Sequence, residues 1–136
     1  MFLEQKPVGV RRFETKGRGL YAVSPIRAGE LIESAPVLIF SNPERRILEN
    51  TRVAHYYFHW EESETDGEDS WSAALALGRI SLCNHASPAN ARFVLVKEDE
   101  RIDLFAAHDI DVDEEITIDY DCPLWFQPSN ANAQSE

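Results

Sequence analysis

The apolar residues of this 136-residue chain come in short runs, each cut off by glycine, proline or a cluster of charge. No run approaches the roughly 18 apolar residues that a membrane-spanning helix requires. Only Ser41-Asn42-Pro43-Glu44 carries a clear helix-start signature. It has a Ser cap, a Pro in the first turn and a Glu three residues after the Ser, and it predicts a short helix to about Glu49. Val8 to Phe13, Leu20 to Val23, Leu31 to Phe40, His55 to Trp60 and Glu115 to Tyr120 are rich in β-branched or aromatic residues and predict strands. Arg92 to Lys97 and Arg101 to Ala107 predict a hairpin around Glu98-Asp99-Glu100. Glu14 to Gly19 reads as a turn, and Pro36 either splits its run or bends it at a sheet edge. Many short strands with one or two short helices imply a mostly β domain with irregular connections. The length suits one domain rather than two, with a polar tail from Ser129.

The formal charge is −11, from 13 Lys and Arg against 24 Asp and Glu. It is unevenly placed: residues 1–60 carry nine bases and six acids, residues 61–136 four bases and eighteen acids. An acidic half argues against binding nucleic-acid phosphates, which takes clustered Lys and Arg. It suits a cationic partner such as a Lys-rich peptide, with solubility as the plainer account. Cys83 and Cys122 are too few for a disulfide scaffold and fit a reducing compartment. Met1 to Gly9 has no long apolar stretch, so no secretory signal is expected.

Several segments could carry chemistry. Gly17-Arg18-Gly19 is a glycine-flanked turn where a ligand could approach the backbone, although such triplets are usually simple turns. Asn84-His85 offers hydrogen-bond donors and acceptors together, and taken alone also fits an Asx-turn. Ile116 to Tyr120 ends in a phenol that either closes a β core or meets a substrate amine. Trp125-Phe126 either caps the core or covers a flat ligand. His55 and His59 would suit a metal on a helix face, but on a strand they lie about 13 Å apart and read as structural.

Taken together and in order, these segments resemble the SET-domain family of protein-lysine methyltransferases. The resemblance is carried by Arg18-Gly19-Leu20-Tyr21-Ala22, Ala28-Gly29-Glu30, Asn84-His85 with Pro88 and Asn90, and Glu114 to Tyr120. It runs over residues 8–121 and is greatest to the small stand-alone bacterial and viral members. Tyr57 to Glu61 and Ala73 to Gly78 are similar to a stretch those bacterial members carry. The resemblance implies a SET domain over residues 6–121 and a C-terminal segment, 122–136, that closes a cofactor pocket. It implies small β-sheets around a knot-like crossing of the C-terminal strand, which would bring Asn84-His85 to Tyr120.

The activity implied is methyl transfer from S-adenosylmethionine to a lysine of a basic protein or peptide. By similarity, the backbone of Arg18, Gly19 and Leu20, the Asn84 side chain and the His85 backbone would hold the cofactor. Trp125 would cover adenine, and Tyr120 matches the active-site tyrosine. Phe93 and Ile118 fall where members line the lysine channel, and apolar residues there would leave room for more than one methyl. No metal site is implied, because Cys122 alone cannot replace the cysteine-rich zinc motif of some members. The chain departs from the family pattern at Ala86, where Ser is usual, at Asp113, where Gly is usual, and at Arg79 and Cys83. The departures at Ala86, Arg79 and Cys83 motivate an alternative, a non-catalytic interaction module on the same scaffold. The expected location is cytoplasmic, or nuclear in a eukaryote, and a homodimer is an open alternative by analogy with viral members.

Overall fold

The computed structural model describes residues 5–62 and 70–120. In chain order its strands are β1 (Val8–Phe13), β2 (Gly17–Ala22), β3 (Leu31–Phe40), β4 (Tyr57–Glu62), β5 (Trp71–Ala76), β6 (Asn84–His85), β7 (Ala91–Val96), β8 (Arg101–Ala106) and β9 (Glu115–Ile118). A helix, α1 (Asn42–Leu48), and short 3₁₀ turns at Arg52–His55, Arg79–Leu82 and Lys97–Asp99 connect them. Two sheets form, ordered β1-β2-β9-β6 and β4-β5-β3-β8-β7. Every pairing is antiparallel except β6 with β9, which is parallel. Aliphatic side chains fill the core, with Leu20, Ile26, Ile32, Ile80, Ile102, Leu104, Ile110, Ile116 and Ile118 fully buried.

Local sequence signals account for much of this. Ser41 and Glu44 form the reciprocal capping box expected of them, satisfying two backbone N–H groups at the start of α1. Arg45 then pins α1 to β5. Its guanidinium lies 4.0 Å from the Trp71 ring centroid, donates to Asn42 Oδ1 and the Trp71 carbonyl, and pairs with Glu49. The β7–β8 hairpin forms where expected, from Ala91↔Ala106 to Val96↔Arg101.

Other expectations change. The run around Pro36 is neither two strands nor a sheet edge. β3 is a single central strand that changes partner at the proline, pairing with β8 up to Pro36↔Arg101 and with β5 from Val37↔Ala76. The missing N–H of Pro36 falls at this changeover, so no ladder bond is lost, and its carbonyl accepts from Leu77 N at 2.8 Å. β2 begins at Gly17, inside the expected turn, because Gly17 adopts φ +83° and reverses the chain early. His55 ends a 3₁₀ turn rather than opening a strand. β9 stops at Ile118, two residues before Tyr120. Asn84-His85 is a two-residue strand rather than an isolated turn. Asp113 has φ +71°, a left-handed conformation that a glycine holds at lower cost.

The feature that shapes the site is the insertion of β9 between β2 and β6, with residues 84–90 laid against it. Asn90 clamps that crossing. Its Nδ2 donates to the Glu115 carbonyl at 2.8 Å, its Oδ1 accepts from Thr117 N at 2.9 Å, and its own N–H donates to Thr117 Oγ1 at 3.3 Å. Ala86 N adds a bond to the Ile118 carbonyl at 3.0 Å. Asn90→Ala leaves a backbone donor and a backbone acceptor of β9 without their partner. The expected loss is about 2–3 kcal/mol in urea unfolding. A loss below about 0.5 kcal/mol would show that the crossing is held by other means.

Candidate functional site

Two cavities flank the crossing. The first, of about 370 Å³, lies between the β1–β2 turn and the segment Ser81–Asn84. Gly17, Arg18, Cys83, Asn84 and Tyr120 line it, Arg12 and Lys16 bring further positive charge, and His55 and Tyr56 close its far side. The second, of about 310 Å³, is mainly aromatic, lined by Tyr57, Phe58, Phe93 and Tyr120 with Ala54, His55 and His59. His55 and Tyr120 line both. A third hollow, among Lys6, Arg27, Glu30, Asp109 and Asp111, is of mixed charge and separate from these two.

Asn84 reaches the first cavity because β6 runs parallel to β9, with Asn84 opposite Thr117. Its Nδ2 donates to Glu115 Oε2 at 2.7 Å and to the Arg18 carbonyl at 3.3 Å. That approach needs a glycine at 19: a Cβ there would lie 2.6 Å from Asn84 Nδ2 and 2.9 Å from both Glu115 Oε2 and a Phe13 ring carbon. Gly19 thus makes room for the amide. Leu20 is fully buried and faces the core, with its backbone paired to Val10 and Ile116.

Tyr120 stands at the junction of the cavities and is fixed at both ends. Its N–H donates to His85 Nδ1 at 3.1 Å, and the two rings stack 5.3 Å apart. Asp119 Oδ1 lies 3.8 Å from the same ring nitrogen. The Tyr120 hydroxyl donates to the Cys83 carbonyl at 2.6 Å. The phenol hydrogen is thereby committed, and the lone pairs of the oxygen are left to accept from a ligand. Burial pushes the phenol above the usual tyrosine pKa, with smaller contributions from Cys83 and Tyr56. Cys83 contributes only its carbonyl, since its buried thiol is held protonated by desolvation and by the negative charge of Glu33 and Glu115.

The loop before Asn84 is shaped from β3. Glu33 Oε2 accepts from Arg79 N at 2.9 Å, capping the 3₁₀ turn that leads to Cys83, and Arg79 Nη1 donates to the Val8 carbonyl. The structure therefore brings Arg18, Gly19, Asn84, His85 and Tyr120 together. Phe93 lies in the aromatic cavity, 4.8 Å from the Phe58 ring centroid. Ile118 is fully buried and lines neither cavity. Trp125 lies outside the described residues. Sequence reasoning did not single out His55, Tyr56, Tyr57, Phe58, Arg12, Lys16 or Glu115 for the site. The aromatic density of residues 55–60 was the available signal. Read as one continuous strand, it hid the turn that sends Tyr56 to one cavity, Tyr57 and Phe58 to the other and His55 to both.

One consequence of this geometry is measurable without any ligand. A spectrophotometric titration of the wild-type protein minus Tyr120→Phe should show a phenol ionising above the ordinary value of about 10. The folded state then keeps a proton that the unfolded chain loses. The stability contributed by this group is full below about pH 10 and declines as pH rises through its folded value. Ionisation at or below pH 10 would contradict the placement of the phenol.

Comparison with known proteins bears on the same residues. Residues 17–121 match the SET domain family. A fission-yeast (Schizosaccharomyces pombe) protein named histone-lysine N-methyltransferase, H3 lysine-37 specific, is 32% identical over 130 residues, covering 95% of this chain and 83% of that protein. A Debaryomyces hansenii protein named histone-lysine N-methyltransferase, H3 lysine-4 specific, is 31% identical over 121 residues. That match covers 85% of this chain but 11% of the yeast protein. A crystal structure from Plasmodium falciparum superposes with a TM-score of 0.65 at 24% identity, covering 87% of this chain and 95% of that one, and shares the fold. With a match across most of its length, a relative of similar size and the same architecture, the chain belongs to the SET-domain family.

Proposed function

We propose that this protein is a protein-lysine N-methyltransferase that uses S-adenosylmethionine and acts on a lysine in a basic protein or peptide. The observation that carries this reading is that Tyr120 lines both cavities, one polar and cationic, the other aromatic. Two reactants entering from opposite sides would meet at its phenol oxygen. The relatives named as histone-lysine N-methyltransferases support the same class.

The residues of the first cavity fit the methyl donor. Its amino-acid end carries an ammonium and a carboxylate, matched here by the amide of Asn84 and the positive charges of Arg12, Lys16 and Arg18. Gly17, with open space where a Cβ would stand, and the Arg18 backbone form its wall. When bound, the sulfonium supplies an already activated methyl group, so the protein's task is alignment and exclusion of water.

The second cavity acts on the lysine. The nucleophile must be a neutral amine, and free lysine has a pKa of about 10.4. A side chain enclosed by Tyr57, Phe58 and Phe93 is desolvated, which lowers that value and favours the amine. The Tyr120 oxygen, its hydrogen committed to Cys83, accepts an amine N–H and so orients the nitrogen lone pair. Capture of the charged lysine is a separate step, and the carboxylates of residues 61–69 or 109–121 carry the charge suited to it. His59, within β4, pairs with Glu62 at 2.9 Å and stacks on Trp71.

Tyr120→Phe is expected to keep the fold and to lower methyl transfer to a histone-derived peptide by about 100-fold or more. Wild-type turnover in this variant would remove the assignment. Calorimetry with S-adenosylhomocysteine separates an enzyme from a non-catalytic module: a folded sample that binds none favours the module. Replacing the carboxylates of residues 61–69 by amides should raise KM for a Lys-rich peptide, most at low salt, with little change in kcat. An unchanged KM would reduce the acidic surface to a role in solubility.

A further inference from the structure

We propose that Glu115 is a positioning residue that fixes which way the Asn84 amide faces, and that this makes the first cavity selective for a ligand bearing a primary ammonium group. The geometry stands by itself, but the identity of the ligand rests on the methyl-transfer reading above.

Both Nδ2 hydrogens of Asn84 are spent on protein acceptors, one on Glu115 Oε2 at 2.7 Å and one on the Arg18 carbonyl at 3.3 Å. The remaining atom, Oδ1, accepts no hydrogen bond among the described residues and is not sealed in the interior. Asn84 therefore offers the cavity it lines an oxygen acceptor, which a positively charged ammonium satisfies well. The reversed amide would place Oδ1 against a carboxylate and a carbonyl, two acceptors facing a third. It would also turn the NH₂ group toward a cavity already bordered by Arg12, Lys16 and Arg18.

Glu115 can enforce this choice because it is itself held. Lys16 Nζ binds its other oxygen at 3.0 Å, and its side chain is only 14% exposed. Its backbone is fixed in β9 by the pairing with Tyr21 and by the Asn90 bond to its carbonyl. Gly19 completes the arrangement, because a Cβ there would collide with both the amide and the carboxylate. A glutamine at position 115 keeps the size but not the preference. Its own amide can turn to donate to Asn84 Oδ1, which frees Asn84 to reverse.

The test measures binding rather than turnover. Calorimetry compares S-adenosylhomocysteine with its analogue lacking the α-amino group, on the wild-type protein and on Glu115→Gln. The wild type is expected to bind the amino form about tenfold tighter or more. Glu115→Gln is expected to cut that ratio to about twofold or less while leaving the affinity for the des-amino analogue unchanged. A variant that retains the full ratio, or that weakens both ligands alike, overturns the positioning role and leaves the methyl-transfer reading intact. A folded wild type that binds neither ligand overturns the cofactor reading and this selectivity with it. Should Glu115→Gln not fold, ¹H–¹⁵N spectra of the wild type carry the test. Both side-chain protons of Asn84 should be protected from exchange, and a proton exchanging at the rate of a free amide overturns the proposal.

Discussion

The site depends on one clamp, the side-chain amide of Asn90 on the backbone of β9. A primary amide is well suited to the task, since it offers a donor to the Glu115 carbonyl and an acceptor to Thr117 N at the same time. With β9 held between β2 and β6, three segments far apart in sequence become neighbours: the Arg18-Gly19 turn, the Asn84-His85 strand and Tyr120. The pairings of β9 with β2 and β6 and the Ala86 bond to the Ile118 carbonyl act on the same crossing. The buried isoleucines of β9, Ile116 and Ile118, add apolar burial to the crossing, but they are non-directional and set no hydrogen-bond register.

Around that crossing the work is shared between backbone and side chain. Cys83 contributes a carbonyl that fixes the Tyr120 phenol, while its thiol is withdrawn into the core. Arg18 contributes a carbonyl to Asn84, and Gly19 contributes only the space left by a missing Cβ. These roles do not depend on which side chain sits at 83, which explains how a position that departs from the family pattern can still serve the same geometry. Asp113 is a different case: it occupies a left-handed backbone position where the family usually has glycine, so that departure bears on backbone strain rather than on the cavities. The two cavities differ in character for a related reason. The first is lined largely by turns with exposed cations, the second by the aromatic face of β4 and β7.

Much of the fold could be read locally. The Ser41–Glu44 capping box and the β7–β8 hairpin depend on residues a few positions apart, and both formed where the sequence placed them. The central position of β3 was not readable, because Pro36 in isolation signals an edge. Only the changeover from β8 to β5 shows why its missing N–H costs nothing there. The break between His55 and Tyr57 was hidden in the same way, since an aromatic-rich run carries a strong strand signal and a one-residue shift moves each side chain to the other face.

The sequence by itself determined the family and the mostly β class, and it singled out the residues of the candidate site: Arg18-Gly19, Asn84-His85 and Tyr120 in that order. Those are properties of short segments, and short segments are governed by local sterics, capping and composition. The tertiary structure alone decided that Tyr120 faces two cavities, that Ile118 belongs to the core while Phe93 lines a cavity, and that Glu115 holds the Asn84 amide. Each of those facts is a distance between residues that only the insertion of β9 brings together. Hydrogen bonds act over about 3 Å, so no periodicity along the chain could have announced them.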